Sequence, residues 1–376
     1  NILFIYNIMA TYTLNGTVFS FGSTIDSTSG SSSNFSISSV PVTKTGTNYS
    51  GNTSFTLNDN NTLTFSGNGM PYPAKAGTPD FVNDGITTLS WYYPGTGTAY
   101  LGNQNYNITF PYRGGKNVES LTSTSLGMQG MFANGAALFS PGAAPGLIPD
   151  TNLNFGVYSP CAPFFETVLG VDKGGGHSAP LLGSSTLIGR YHYHDALFLT
   201  TSWNNETFWS SNSYYNDTSY DDDHFRSADG HSKIIGVLFD GYPIYGPYGY
   251  TDATDSSSGV TRMTSSYELN DTEFTGRPYT YTDTGLFYGD DPSNPTTITV
   301  SAGAFILDYH YTDGLGTLDQ CNGRYCVTPE YPNGTYAYFA TVDDEGEGVF
   351  PYMFGFYSKN TRNVIDNSNP DSTTAI

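Results

Sequence analysis

The sequence predicts an all-β fold, sandwich-like or barrel-like, with long Gly-, Pro- and Tyr-rich loops and few short helices. Two observations predict it. The first is composition: 31 Tyr and 24 Phe stand beside 43 Gly, and only 12% of residues are charged. Aromatic side chains suit pleated, half-buried surfaces. The second is pattern, since short period-two runs alternate with turn chemistry along most of the chain. At 376 residues there is ample length for a large core. The expected organisation is an apolar N-terminal strand over 1–10, a β-rich segment over 11–65, the main β domain over 66–358 and a flexible tail over 359–376.

The opening run Asn1-Ile2-Leu3-Phe4-Ile5-Tyr6-Asn7-Ile8-Met9 lacks a basic flank and is too short to span a bilayer. As a strand it is apolar on both faces, which demands burial on both faces. Ile2, Leu3, Phe4, Ile5, Tyr6 and Ile8 are therefore candidate assembly residues, donated to a neighbouring copy of the same chain. Strands follow at 11–14, 17–21, 34–38, 54–57 and 62–65, separated by turns such as Asn15-Gly16 and Asp59-Asn60-Asn61. Further strands are read at 87–93 and 106–110. The Gly-, Met- and Ala-rich stretch 126–138 reads as a buried loop or a short helix, and the prolines at 141, 145 and 149 make a loop. A continuous apolar run over 234–239 reads as a central strand. Asp240-Gly241 then turns the chain, and Pro243 and Pro247 are expected to prevent another regular strand. Residues 256–259 and those after 359 are the expected flexible segments.

The chain is organised around Gly189-Arg190-Tyr191-His192-Tyr193-His194-Asp195. Strand geometry puts His192 and His194 on one face and Tyr191 and Tyr193 on the other. Two imidazoles at that spacing can reach one metal ion. Gly174-Gly175-Gly176-His177 lies shortly upstream and supplies a third imidazole, while Asp308-Tyr309-His310-Tyr311 echoes the pattern. The candidate metal ligands are His177, His192, His194, His231, Asp308 and His310. Imidazole with carboxylate suits Zn²⁺ or Cu²⁺. The acidic runs at 221–223, 290–291 and 343–345 are weaker candidates for Ca²⁺, because none has the spacing of a calcium loop.

These motifs also carry a family resemblance. The Tyr-His-Tyr-His run is followed in order by Gly230-His231-Ser232-Lys233-Ile234-Ile235-Gly236 and Asp240-Gly241-Tyr242-Pro243-Ile244-Tyr245-Gly246-Pro247. Leu318-Asp319-Gln320-Cys321-Asn322-Gly323-Arg324, Gly334-Thr335-Tyr336-Ala337-Tyr338 and Phe350-Pro351-Tyr352 come later, and Asn68-Gly69-Met70-Pro71 stands at the front. Together they resemble the YHYH-domain family over roughly 65–357. The resemblance implies an exported β-rich protein, with metal binding inferred from the histidines. The chain departs from the usual pattern at Gln320, where an acid is typical.

Net charge is −21. Such a surface repels phosphate backbones, so no nucleic-acid partner is expected. Cys321 and Cys326 could close a small disulfide loop in an oxidising compartment, leaving Cys161 odd or paired with one of them. Asn-x-Ser/Thr sequons at Asn15, Asn34, Asn48, Asn52, Asn60, Asn107, Asn205, Asn216, Asn270 and Asn333 would take N-glycans if the chain passes a glycosylating pathway. No Gly-x-Ser-x-Gly elbow, P-loop, dinucleotide fingerprint or His-Glu-x-x-His helix occurs. The sequence therefore reads first as an extracellular structural subunit (secreted, on a cell surface or on a virion) that forms head-to-tail homopolymers by strand exchange. The alternative is a secreted metal-dependent enzyme, or a metal- or carbohydrate-binding module.

Overall fold

The computed structural model describes residues 9–14, 17–22, 36–39, 42–43, 50–51, 53–58, 60–67, 69, 91–93, 97–101, 104–117, 120–133, 135–142, 161–163, 176–180, 188–195, 227–270, 280–283, 296–299, 302–344 and 348–367. Two sheets hold the principal strands. In chain order these are β1 (Met9–Leu14), β2 (Thr17–Gly22), β3 (Ser36–Ser39), β4 (Thr53–Leu57), β5 (Thr62–Gly67), β6 (Trp91–Tyr93), β7 (Gly97–Leu101), β8 (Tyr106–Pro111) and β9 (Met128–Phe132). They continue with β10 (Ala137–Phe139), β11 (Gly176–Pro180), β12 (Ile188–Tyr193), β13 (Ile234–Leu238), β14 (Pro243–Tyr245), β15 (Gly323–Cys326), β16 (Thr335–Phe339) and β17 (Ile365–Asp366). The fold is all-β and neither sheet closes into a barrel. The regular helix among the described residues includes a short 3-10 turn at Ile306–Asp308. The expected assembly residues 2–8 lie outside the described residues.

The first sheet has seven strands in the order β1-β2-β3-β4-β5-β8-β17. Its register turns the sequence pattern into rows. Tyr12, Phe19, Ile37, Phe55, Phe65 and Ile108 align across six strands, and so do Thr11, Ser20, Ser36, Thr56, Thr64 and Thr109 one residue away. Adjacent strand positions face opposite sides of a sheet. Phe55, Phe65 and Ile108 are accordingly buried, whereas Thr56 is exposed. Each fully buried large apolar side chain contributes about 1.5–3 kcal/mol, so the apolar row fixes the register, and a one-residue slip would expose all of it. On the polar side Thr64 and Thr109 hydroxyls meet at 2.9 Å.

The second sheet has ten strands, β15-β16-β14-β13-β9-β10-β12-β7-β6, with β11 added on β12. Every residue of β13 is buried, as its unbroken apolar sequence requires. One core joins the two sheets: Phe110 from the first packs on Phe239 after β13, ring centroids 5.1 Å apart. Gly241 makes that contact close. Its φ is +94°, and a Cβ there would lie 2.3 Å from the Pro111 carbonyl oxygen.

Five local expectations change. The stretch 126–138 is neither loop nor helix but the β9–β10 hairpin, whose residues are nearly all buried and so show no alternation. Pro243 does not prevent a strand. It opens β14, where Ile244 and Tyr245 pair with β16 while Pro243 stands opposite Val237. Residues 256–259 form a hydrogen-bonded turn, closed by Thr251 N donating to Gly259 O at 2.9 Å. Beyond residue 359 the chain returns to the first sheet, where Ile365 and Asp366 pair with β8. Cys161, Cys321 and Cys326 are all buried and none is in a disulfide, so the small disulfide loop does not form. Cys326 ends the extended strand β15 and Cys321 precedes it, which holds the two apart.

Candidate metal centre

Strand β12 carries the Tyr-His-Tyr-His run and sorts it by face. Tyr191 and Tyr193 are buried, 5.2 Å apart edge to face, with Tyr193 also on Phe132 at 5.6 Å. Neighbouring β11 allows this packing only because residue 176 is glycine. A Cβ there would lie 2.0 Å from the Tyr191 hydroxyl and 2.7 Å from Tyr193 Cε1. The Gly-rich run before His177 thus has a steric cause at its last glycine.

His192 and His194 are both buried, and their Nε2 atoms approach to 3.0 Å. Their other nitrogens settle the tautomers. His192 Nδ1 lies 3.0 Å from the Arg190 carbonyl oxygen and His194 Nδ1 lies 2.5 Å from that of Ser140. A carbonyl oxygen only accepts, so both Nδ1 atoms must carry hydrogen and donate. In the neutral rings both Nε2 atoms then present lone pairs to one another. Two acceptors at that distance repel unless a positive species lies between them. Backbone carbonyls that hold Nδ1–H and aim Nε2 are the usual outer support of metal-ligating histidines. Phe139 of β10 stacks on His192 at 3.9 Å and meets His194 edge-on at 6.0 Å, which orients both rings.

The distance also suits a metal. Two nitrogens each about 2.0–2.1 Å from Zn²⁺ stand roughly 2.9–3.4 Å apart for angles between square and tetrahedral. A third candidate position is set by register: His177 is the antiparallel partner of His192. Directly opposed positions share a face of the sheet. Among the described residues there is no cluster of three or more His, Cys, Asp and Glu arranged to hold a metal. The His177 side chain lies outside that description. Asp195, next along the chain, is buried.

The remaining candidates are placed elsewhere. Asp308 ends the 3-10 turn, and its carboxylate accepts from Gly303 N at 3.0 Å and Phe305 N at 3.1 Å. His310 sits on the short strand Tyr309–Tyr311 and is half exposed, 3.2 Å from Glu268. The echo of the motif therefore does not present Asp308 and His310 as a ligand pair, because the buried Asp308 carboxylate caps backbone N–H groups while His310 meets Glu268. His231 is fully buried near β14 and β16, at the other side of the second sheet. Its Nδ1 faces the Ser232 carbonyl at 2.7 Å, and burial pushes its pKa down to about 4.

Buried acids missed by the sequence reading lie on that same side. Glu330 accepts from the Tyr245 hydroxyl at 2.8 Å, and burial raises its pKa to about 7. Asp240 accepts from the Tyr338 hydroxyl at 2.5 Å and is raised by burial to about 6. Their hydroxyl partners come from tyrosines far away in sequence, so no local signal marked either acid. The aromatic run Tyr242, Tyr245 and Tyr250 is buried and covers the core. No helix among the described residues is long and apolar enough to cross a membrane.

A family model described as YHYH protein matches residues 107–347, well over half of the chain. No curated protein and no solved structure matches.

Proposed function

The chain belongs to the YHYH family, and on that premise we propose that its domain is a metal-binding module centred on His192 and His194. The observation that carries this reading is the pair of converging Nε2 atoms at 3.0 Å, each ring held through Nδ1 by a backbone carbonyl. His192 and His194 would hold the ion, with the position opposite, His177, as the third ligand. A borderline ion such as Zn²⁺ or Cu²⁺ fits imidazole ligands. The bound ion supplies a fixed positive charge and Lewis acidity, and the protein supplies orientation and an apolar wall at Phe139. A proton would also relieve two facing lone pairs, so the test is direct metal analysis. Protein loaded with Zn²⁺ and desalted should retain one ion per chain, and His192→Ala or His194→Ala should retain far less. Equal retention by the variants would contradict the proposal.

A second reading, assembly by strand donation, is favoured by one observation. β1 ends the first sheet, so it pairs with β2 on one side and with no described strand on the other. Residues 2–8 run directly into it. Exposed edges invite further strands, and a head-to-tail contact propagates into filaments. On this reading the chain is an extracellular subunit. The exposed sequon residues Asn60, Asn107 and Asn333 would then carry glycans. Deletion of 1–9 should abolish assembly while leaving the domain folded. Normal filaments from the truncated chain would contradict strand donation.

A further inference from the structure

Among the buried polar atoms of the described residues that have no hydrogen-bonding partner in the protein, two have a neighbouring ring in common. His231 Nε2 is one and Arg324 Nε is the other. The His231 ring packs 4.7 Å from Tyr250 and 6.0 Å from Phe339, with Tyr245 at 5.2 Å. Arg324 shares the Phe339 ring and the Tyr250 residue with it: its Cζ lies 5.7 Å from the Phe339 centroid, its Nη2 donates to the Tyr250 backbone carbonyl oxygen at 2.5 Å, and its charge acts on the His231 imidazole. Residue 249, beside them, is glycine, and a Cβ there would come within 3.1 Å of both Arg324 Nη2 and Phe339 Cε1.

The chemistry of the two atoms is complementary. His231 Nδ1 must donate to the Ser232 carbonyl, so Nε2 is an acceptor. Arg324 Nε carries a hydrogen and can only donate. A buried polar atom left without a partner costs about 1–3 kcal/mol. A group that both donates and accepts satisfies both atoms at once. A metal ion does not, because Arg324 would repel it, and an anion does not, because it offers no hydrogen to His231. Both atoms are buried, which favours a ligand as small as water.

We propose that His231 Nε2 and Arg324 Nε form a binding site for a single internal water molecule, which donates to the histidine and accepts from the arginine. The site pins the turn before β13 to strand β15, two segments far apart in sequence. Internal waters with two or more polar partners are a structural part of a fold and are costly to remove.

A high-resolution crystal structure tests this. The expected result is one ordered water within about 3.2 Å of both atoms. Absence of such a water, or separate waters each on one atom, would overturn the proposal. Thermal unfolding of His231→Phe, Arg324→Met and the double variant gives a second reading. Each single change leaves one partner orphaned, so the double variant should lose clearly less melting temperature than the two single losses summed. Additive losses would count against a shared water. If His231→Phe does not fold, the crystal structure of Arg324→Met decides. The water should be gone or displaced from His231, and an unmoved water bound to Nε2 would refute the bridge.

Discussion

The second sheet carries two buried histidine sites, and they differ in an instructive way. At β12 two imidazoles are held by backbone carbonyls so that their Nε2 atoms converge at 3.0 Å. Near β14 and β16 a single imidazole is held by a carbonyl in the same manner and packs among aromatic rings, with Arg324 close by. Both are buried, and both have their tautomer set by the main chain. Convergence of lone pairs, rather than burial or a count of histidines, distinguishes the proposed cation site from the single-histidine site. The comparison also separates two electrostatic regimes. The pair gathers acceptors that favour a cation, whereas burial, with a smaller contribution from the Arg324 charge, holds the His231 pKa down.

The largest expected effect concerns pH and tests the His231 side. Glu330 has a folded pKa raised to about 7, so the unfolded chain releases that proton first as pH rises. Its contribution to stability is therefore present in acid and lost between roughly pH 4.5 and pH 7. At about 1.4 kcal/mol per pH unit, Glu330→Gln should relieve a penalty of up to about 3 kcal/mol at neutral pH. His231 works in the opposite direction. Its pKa is lowered to about 4, so its contribution is present above about pH 6.5 and lost as pH falls towards 4. His231→Phe should flatten that acid-side loss and leave metal retention unchanged. Denaturant unfolding from pH 4 to 8 checks both slopes. A metal defect in His231→Phe would break the distinction between the two sites.

A smaller effect is expected at the histidine pair's support. Gly176→Ala forces a methyl into Tyr191 and Tyr193 and should cost about 1–3 kcal/mol, as overpacked sites do. Because it shifts β11 against β12, metal retention should fall along with melting temperature. Retention at the full level, with stability reduced, would show that β11 plays no part in the site.

The smallest effect belongs to the polar row of the first sheet. Thr64→Val removes the hydroxyl contact with Thr109 on a partly exposed face and should change stability by less than about 1 kcal/mol. Chemical denaturation checks it, and a loss of several kcal/mol would mean that this face is covered.

How much of this was legible in the sequence follows from how local each feature is. Alternation over a few residues was enough to find β1, β2, β4, β5 and β8, because each carries an apolar row against a hydroxyl row. The spacing of His192 and His194 likewise revealed that they share a face. Their support was not legible. Phe139 ends, and Ser140 follows, a strand paired in parallel with β12 from far along the chain, and local patterns do not encode such pairings. The β9–β10 hairpin escaped because buried strands lose their alternation. Asp308 misled because a carboxylate that caps a helical turn has the same sequence appearance as one that binds a metal. The return of residues 365–366 to β8 had no local signal stronger than a single isoleucine.

The most direct measurement is X-ray absorption spectroscopy of the Zn²⁺-loaded protein, alongside His192→Ala and His194→Ala. The account predicts a first shell with at least two imidazole nitrogens at about 2.0–2.1 Å, and loss of that signature in either variant. A shell made only of carboxylate and water oxygens, unchanged in the variants, would place the ion on the acidic loops and contradict the histidine site.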